Sequence, residues 1–454
     1  MISRHFIDVT NADGSRRRVH YRRYGRGQPL LMVHQSPRSS AEYAGLMAQW
    51  GQYFTCIAPD TPGFGQSDPL PGSPEIADFA DGLVALMDAL GLERCPAYGF
   101  HSGGIILVTA LKRHPQRFTG LAVGGYAIWT PQEMAIFGES YLPPFQPTAY
   151  GEHLTWLWNR MLEQSWFFPW FDVRGQARLP GAHADVARVD QAVREMLEAG
   201  DAYRAGYGAV LRAPRDIPPA DADVPPVLIS AYAGDPLQAH IDRLGALPAG
   251  WRAEKVETPT DHQRVSLEWL LGLPPVADVA LREATDEGFA RVVTADFDGL
   301  VHWRGPAGAT ATVAAPGRAI SLFAGAGIDA PGHGLSDDWT GGSGRAAWDA
   351  VLAEVARQRG FAGLAFEAPA PGDPALLYPD LTPDRFGSHL ARAWSAVRAG
   401  CFFRPWHIAS AATAIPFDAA AITPERLAAA HLALLQARSA RAFHTATGDQ
   451  DGNS

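Results

Sequence analysis

A short segment combines the spacing of a sharp strand-to-helix turn with a side chain that transfers protons. Residues 97–106 read AYGFHSGGII, with glycines two positions before and after His101. Glycines at this spacing let a strand and the following helix approach closely, which exposes the central side chain at the top of a sheet. A turn centred on Ser102 would instead place Phe100 where a small residue is needed. The spacing favours His101 at the apex, with Ser102 as the alternative.

Alternating strands and helices surround this segment and must position it. Alternating and apolar runs bounded by turn residues predict strands over 19–24, 29–33, 54–58 and 121–125, with a further strand leading into the His101 turn, and helical periodicity predicts helices over 78–90 and 104–114. This order predicts an α/β fold with a mainly parallel sheet covered by helices on both faces. Such sheets carry their sites at the carboxyl ends of the strands, where the His101 turn lies.

Two loops make the fold assignment specific. Residues 58–68, APDTPGFGQSD, resemble a signature of the α/β-hydrolase fold family, at the expected distance before the turn. Residues 34–37, HQSP, resemble the family loop that supplies half of an oxyanion hole, with Gln35 in place of the usual glycine. The resemblance covers residues 1 to about 280 and implies a hydrolase domain with a helical cap over about 130–222.

The resemblance also implies roles for individual residues. Residues 227–236, VLISAYAGDP, resemble the strand that ends in the catalytic acid, here Asp235. His262 lies where the catalytic base would, in the chain order that this fold uses. Asp235 is therefore expected to orient His262. The backbone N–H groups of Ser36 and Ser102 are expected to form the oxyanion hole.

The cap is expected to supply substrate contacts. The stretch between the strands at 121 and 227 is dense in aromatic residues, including Trp129 and Trp166. These residues either line an apolar pocket for the substrate or only pack the cap helices. Gln35 of the HQSP loop and Arg38, just after it, are further candidates, Arg38 as a partner for a substrate carboxylate.

Three chemistries remain open at this stage. Ser102 attacks in a conventional esterase or C–C bond hydrolase; or His101 acts with a His262–Asp235 dyad; or the protein is an inactive binding protein. The second arrangement would activate water, or would move protons in a cofactor-free lyase, isomerase or oxygenase reaction. The favoured hypothesis is a hydrolase of a small apolar or aromatic ester, lactone, amide or C–C bond substrate, with no cofactor and no metal.

The second half of the chain reads as a degenerate copy of the first. Residues 328–337 (IDAPGHGLSD) repeat the signature at 59–68, 402–406 (FFRPW) repeat 166–170 (WFFPW), and 363–366 (GLAF) repeat 120–123 (GLAV). The offset between matching segments falls from 269 residues at the signature to 236 at the WFFPW run. The copy over 281–454 has therefore lost residues between these points, and the missing part matches the turn strand and its helix. It also lacks counterparts of Asp235 and His262. His153 and His389 occupy equivalent positions and are expected to be structural.

Composition limits the classes of partner. The chain has 454 residues, 47% of them hydrophobic and 19% charged, which is enough for two cores. Its formal charge of −10 and its lack of basic clusters argue against nucleic acid as a partner. No apolar run suits a membrane span or a signal peptide, so a cytoplasmic location is expected. Cys56, Cys95 and Cys401 are too few for a disulfide framework. A homodimer is an open expectation.

Overall fold

The chain forms two units, each with its own sheet. The computed structural model describes residues 1–11, 13–138, 140–342 and 344–448. The first unit contains Met1–Phe145 and Asn159–Glu283, and the second contains Gln146–Trp158 together with the chain from Ala284 onward. The predicted boundary near 280 therefore differs from the observed division in one respect. Residues 146–158, which the sequence placed in the cap of the first domain, group with the second unit.

The first unit is built on an eight-stranded sheet in the order β1-β2-β4-β3-β5-β6-β7-β8. The pairs β1–β2 and β2–β4 are antiparallel, and all remaining neighbours are parallel. The strands are β1 Ser3–Thr10, β2 Arg16–Gly25, β3 Pro29–Val33, β4 Thr55–Pro59, β5 Cys95–Phe100, β6 Phe118–Gly124, β7 Val227–Tyr232 and β8 Arg252–Val256. The helices before residue 284 are α1 Ala44–Trp50, α2 Ile76–Leu90, α3 Ser102–Arg113, α4 Pro131–Phe137, α5 Glu152–Glu163, α6 Val186–Ala199, α7 Tyr203–Arg212 and α8 Pro259–Leu271. Helix α5 begins in the second unit, because the division falls after Trp158.

The central strands are apolar because helices cover both faces of the sheet. Every residue of β3, β4 and β6 is buried. Continuous burial of this kind is the pattern of parallel strands packed between two helical layers. The carboxyl ends of β3, β5 and β7 lead into the loops that carry Ser36, His101 and Asp235, so the parallel sheet brings these three residues to one edge.

Four helices, α4 to α7, are inserted between β6 and β7, at the position expected for a cap. Their starts follow capping rules: Thr130 and Glu133 form a capping box at α4, and the Asp185 carboxylate accepts N–H groups at the start of α6. Side-chain caps satisfy N–H groups that otherwise lack partners at a helix start. The cap is therefore a set of defined helices and not an irregular loop.

The second unit contains a five-stranded sheet in the order β13-β11-β12-β10-β9. Its strands are β9 Glu287–Val293, β10 Asp298–Arg304, β11 Thr310–Val313, β12 Gly327–Ile328 and β13 Gly363–Phe366, and its helices are α9 Arg345–Arg359, α10 Pro374–Leu377, α11 Ser388–Gly400, α12 Pro424–Gln436 and α13 Ala440–Gly448. Strand order and direction match those of β5-β3-β4-β2-β1. By sequence β13 resembles β6, yet it pairs with β11 as β5 pairs with β3. Without a neighbour on this side, β11 would expose unpaired backbone N–H and C=O groups. Strand β13 pairs with these groups.

Buried hydrogen bonds around the signature loop are alike in the two units. In the first unit, the His20 ring nitrogen Nδ1 lies 2.8 Å from Asp60, which also accepts the Ser40 N–H at 2.8 Å. In the second unit, His302 Nδ1 lies 2.8 Å from Asp329, which accepts the Ile320 N–H at 2.8 Å. The carboxylate after β4 or β12 thus fixes the loop in both units.

Helices α5 and α11 exchange equivalent contacts within the second unit. The His153 ring packs edge-on against Trp394 at 5.0 Å between centroids, and the His389 ring packs against Trp158 at 5.5 Å. The Trp158 indole also donates to the carbonyl of Arg385 at 3.2 Å. These contacts explain why residues 146–158 group with the second unit.

No helix in the described part of the chain is long and apolar enough to cross a membrane.

Candidate active site

The backbone places His101 at the apex of the turn between β5 and α3. His101 has φ 48° and is the only non-glycine residue with positive φ in the described ranges. A Cβ on Gly103 would lie 1.9 Å from the Val33 carbonyl oxygen, and one on Gly99 would lie 2.8 Å from the backbone of Gly103. Both flanking glycines are therefore required by close backbone contacts. The geometry supports a turn centred on His101 over one centred on Ser102.

The imidazole of His101 is held by Asp235. Its Nε2 lies 3.0 and 3.1 Å from the two carboxylate oxygens, and the Leu237 N–H donates to the same carboxylate at 2.7 Å. A carboxylate only accepts hydrogen bonds, so in the neutral ring Nε2 carries the hydrogen and Nδ1 carries the lone pair. Hydrogen bonds within the described residues leave Nδ1 without a partner. The ring is 24% exposed, whereas the Asp235 side chain is fully buried.

The charge state of Asp235 suits this pairing. Burial by itself raises the pKa of the Asp235 carboxyl, but the charge of His101, its hydrogen bond and the Leu237 N–H together outweigh burial. The net effect is a pKa below the ordinary value of the carboxyl. Asp235 is therefore ionised at neutral pH and accepts the hydrogen bond from His101 Nε2.

His262 does not pair with Asp235, which corrects the predicted dyad. Its Nε2 lies 2.9 Å from the Tyr98 hydroxyl, and its Nδ1 lies 2.8 Å from the Ser230 hydroxyl. The Phe100 ring packs on both histidines, stacking on His101 at 4.2 Å between centroids and lying 5.5 Å from His262. Burial chiefly lowers the pKa of His262 to about 4, so the ring is neutral at pH 7. Both of its nitrogens are used within the protein.

Ser36 and Ser102 lie together beside His101, but the Ser102 hydroxyl already occupies the Ser36 donor. The Ser36 N–H donates to Ser102 Oγ at 2.6 Å, and Ser102 Oγ donates to Ser36 Oγ at 3.2 Å. Within the described chain, Ser102 Oγ forms no hydrogen bond with a histidine. The proton-accepting partner that a serine nucleophile needs is thus not bonded to it.

A mainly apolar cavity adjoins the exposed face of His101. Its walls come from the β3, β5, β6 and β7 loops and from the cap: Ser36, His101, Ser102, Ile105, Ala127, Trp129, Phe168, Tyr207, Val210, Pro236 and Leu237. Trp129 lies in the wall, and so does Phe168, another aromatic residue of the same cap stretch. Tyr207 was not singled out, and nothing in its local sequence distinguishes it.

Three predicted substrate-contacting residues have other partners and are outside the residues described as lining this cavity. The Trp166 indole donates to the His183 carbonyl at 2.7 Å. The Gln35 backbone and side-chain N–H groups donate to Glu42 at 2.8 and 3.0 Å. Arg38 forms an ion pair with Glu195. These three side chains were expected in the pocket because their loops border it, but their polar groups are satisfied elsewhere.

The described residues contain no cluster of three histidine, cysteine or carboxylate side chains arranged to hold a metal ion.

Comparisons with known proteins bear on the first unit. The profile of the α/β hydrolase fold matches residues 28–135. A haloalkane dehalogenase of Sphingobium indicum strain UT26S is 34% identical over 249 residues, which cover 52% of this chain and 79% of that protein. Haloalkane dehalogenase 2 of Mycobacterium tuberculosis is 31% identical over 139 residues, 30% of this chain, so the chain spans 49% of that relative's length. Epoxide hydrolase A of Mycobacterium thermoresistibile superposes with a TM-score of 0.48 and 17% identity, covering 61% of this chain and 100% of that one.

Proposed function

Since this chain belongs to the α/β-hydrolase fold family, as its motifs predicted, we propose that it is a hydrolase whose turn residue His101, oriented by Asp235, acts as a general base. The observation that carries the proposal is the hydrogen bond from His101 Nε2 to Asp235 at 3.0 Å, which leaves Nδ1 without a hydrogen-bond partner among the described residues. The same side chain lines an apolar cavity. In this arrangement the residue at the apex is the base. His262 has a structural role.

The proposed reaction is direct attack by water. Nδ1 of His101 removes a proton from a water molecule as its oxygen adds to the substrate carbonyl carbon. Asp235 stabilises the resulting imidazolium, as the acid does for the histidine in a serine hydrolase. The N–H groups of Ser36 and Ser102 receive the negative oxygen once the Ser102 hydroxyl moves aside. The tetrahedral intermediate then collapses: the bond from the carbonyl carbon to the leaving oxygen or nitrogen breaks, and the imidazolium gives its proton to that atom.

The cavity walls indicate the class of substrate. Apart from His101, the described wall residues carry no ionisable group other than the Tyr207 phenol, which is hydrogen-bonded to Tyr141 at 2.8 Å. Such a site favours a small uncharged ester, lactone or amide with apolar or aromatic substituents. It disfavours a charged substrate, because removing a charge from water costs several kcal/mol unless a partner is present.

A second candidate function is proton abstraction from carbon. The absence of a hydrogen bond between either histidine and a hydroxyl nucleophile at the turn favours it, because a base without a nucleophile also suits a cofactor-free lyase or isomerase. Exchange of solvent deuterium into the substrate, without uptake of ¹⁸O from labelled water into the product, would identify this chemistry. Uptake of ¹⁸O would identify hydrolysis.

The test compares matched variants of the full chain on a panel of p-nitrophenyl acetate, small lactones, anilides and 1-bromobutane. His101→Ala is expected to lower kcat/KM by roughly 10²- to 10⁴-fold. His114→Ala is the control, since it removes another histidine 2.8 Å from an aspartate, on the surface. Full activity in His101→Ala would contradict the proposal. A wild-type chain inactive on the whole panel that still binds such compounds would support the binding-protein alternative.

A further inference from the structure

A buried carboxylate of the cap contacts the loop that carries Ser36. Glu195 lies on α6 and is 4% exposed. One of its oxygens accepts the Ser39 hydroxyl at 2.8 Å, and the other forms the ion pair with Arg38. A buried carboxylate is costly unless it is paired and hydrogen-bonded, so these two contacts are the condition for its presence.

The rest of the loop is fixed by the core. At one end, both N–H groups of Gln35 bond to Glu42, and at the other end the Ser40 N–H donates to Asp60 at 2.8 Å. Between these anchors, Arg38 and Ser39 have Glu195 as their carboxylate partner. Burial lowers the pKa of the Arg38 guanidinium, but the charges of Glu195 and Glu42 outweigh that effect and raise it. The Arg38 side chain is therefore charged and links the loop to Glu195 of the cap.

Ser36 lies between the same two anchors. Its N–H points to Ser102 Oγ at 2.6 Å, the place that a substrate oxygen would take in the proposed reaction. A donor to a developing negative charge contributes only if its direction is fixed before the reaction. The conformation of residues 36–39 thus decides how well Ser36 can donate.

We propose that Glu195 is a positioning residue, which fixes the Ser36 loop from the cap and so directs the Ser36 N–H at the substrate oxygen. The inference rests on the proposed function, because it assigns the Ser36 N–H a role in that reaction. It gives the cap a part in catalysis that is separate from lining the cavity. The cap would complete the oxyanion hole only when α6 is seated on the loop.

The contact between Glu195 and the loop is tested by hydrogen exchange of the full-length protein. In Glu195→Gln, peptides covering 34–43 are expected to exchange at least 5-fold faster than in the wild type. Glu133→Gln is the matched control. It also removes a carboxylate of the cap from an arginine, Arg243, at 2.7 and 3.0 Å, but the hydrogen bonds of Glu133 join Thr130 and Arg243 and not the 34–43 loop. Equal exchange of the 34–43 peptides in Glu195→Gln and Glu133→Gln would overturn the inference.

Kinetics separate positioning from a purely structural role. Glu195→Gln is expected to lower kcat about 10-fold with little change in KM, because the interaction strengthens in the transition state. Faster loop exchange with unchanged kcat would overturn the inference. Faster loop exchange in a protein without His101-dependent activity would overturn the proposed function and support the loop contact alone. Should Glu195→Gln not fold, Arg38→Gln removes the other partner and the same readouts apply.

Discussion

At the scale of single residues, His101 occupies a backbone conformation that is costly for a side chain. Its φ of 48° and ψ of −114° lie outside the helical and extended regions. Strain of this kind costs of order 1–3 kcal/mol and persists where the surrounding structure enforces it. Close packing of Gly99 and Gly103 enforces it here, and it keeps the imidazole directed at the cavity.

The strain predicts an unusual order of stability. His101→Ala and His101→Gly both lose the bond to Asp235, so they differ chiefly in the backbone. We expect the glycine variant to be about 1 kcal/mol more stable than the alanine variant in urea unfolding. At an unstrained position alanine is normally the more stable of the two. Equal stability, or alanine above glycine, would contradict the strain.

Ser102 provides a second prediction at this scale. Because its hydroxyl fills the Ser36 donor and contacts no base, Ser102→Ala is expected to retain activity within about 3-fold of the wild type, or to exceed it. A fluorophosphonate probe is expected to leave the wild-type protein unlabelled, as checked by mass spectrometry. Labelling that disappears in Ser102→Ala, together with loss of activity, would instead identify Ser102 as the nucleophile.

At the scale of elements, the buried histidines on equivalent strands of the two units have pKa values shifted in opposite directions. In the pairing of β1 with β2, Phe6 faces His20, and in the pairing of β9 with β10, Phe289 faces His302. Two residues earlier the first unit has Arg4 and the second has Glu287, which lies 3.2 Å from His302 Nε2. The position two residues before the paired phenylalanine therefore carries a positive charge in the first unit and a negative charge in the second.

The pKa shifts follow this difference in charge. Burial is the largest influence on both rings and lowers the pKa. For His20 it prevails over Asp60, and the charges of Arg22 and Arg4 add to it. For His302, the hydrogen bonds and charges of Asp329 and Glu287 overcome burial and raise the pKa. The second unit thus gains stability from a protonated histidine, whereas the first unit is stabilised by a neutral one.

Glu287→Gln is expected to destabilise the second unit at low pH more than at high pH. A raised folded-state pKa gives stability that is complete below the unfolded value near 6.5 and is lost as pH rises through the folded value. We expect a loss of about 1–3 kcal/mol at pH 6, which shrinks towards pH 9. Unfolding measured at both pH values checks it, and NMR titration should place the His302 pKa lower in the variant. Arg4→Gln is the control, expected to raise the pKa of His20.

The elements themselves were largely predictable from sequence. The run at 29–33 forms β3 at the predicted residues, and the strands at 121–125 and 54–58 are observed with ends shifted by one to three residues. Buried parallel strands have a strong apolar pattern, which accounts for this agreement. Strand β1, with polar residues along its length, carries a weaker pattern and was not predicted.

The site was predictable only where it depends on local geometry. The apex at His101 follows from glycine spacing. Gly99 is in close contact with Gly103 within the turn, and Gly103 is in close contact with Val33 on β3, the neighbouring strand of the sheet. The partner of Asp235 depends on three chain segments and on the position of the Phe100 ring between His101 and His262. No local pattern encodes that arrangement, so the dyad was assigned to the wrong histidine.

At the scale of the whole molecule, the two structural units are not two consecutive stretches of the chain. Residues 146–158 precede half of the first unit in sequence, yet they pack with α11. Gly151 and Gly387 permit the close packing of α5 against α11. A Cβ on Gly151 would lie 2.9 Å from Trp394, and one on Gly387 would lie 2.5 Å from Trp158. Both have positive φ, 84° and 67°.

Gly151→Ala is therefore expected to destabilise the second unit by about 1–3 kcal/mol, through contact and backbone strain together. Hydrogen exchange should be faster in β9 to β13 and unchanged in β3 to β6. Gly387→Ala should have the same pattern, and Gly363→Ala, whose Cβ would have nothing within 4 Å, should have none. Faster exchange in the first unit's strands alone would contradict the assignment of 146–158.

The separation of His262 from the turn also limits what a single substitution can do. Replacing His101 by serine places a hydroxyl at the apex but leaves it without a base, because Tyr98 and Ser230 hold both nitrogens of His262. Conversion of this site to a serine hydrolase therefore requires at least a second change that frees a nitrogen of His262.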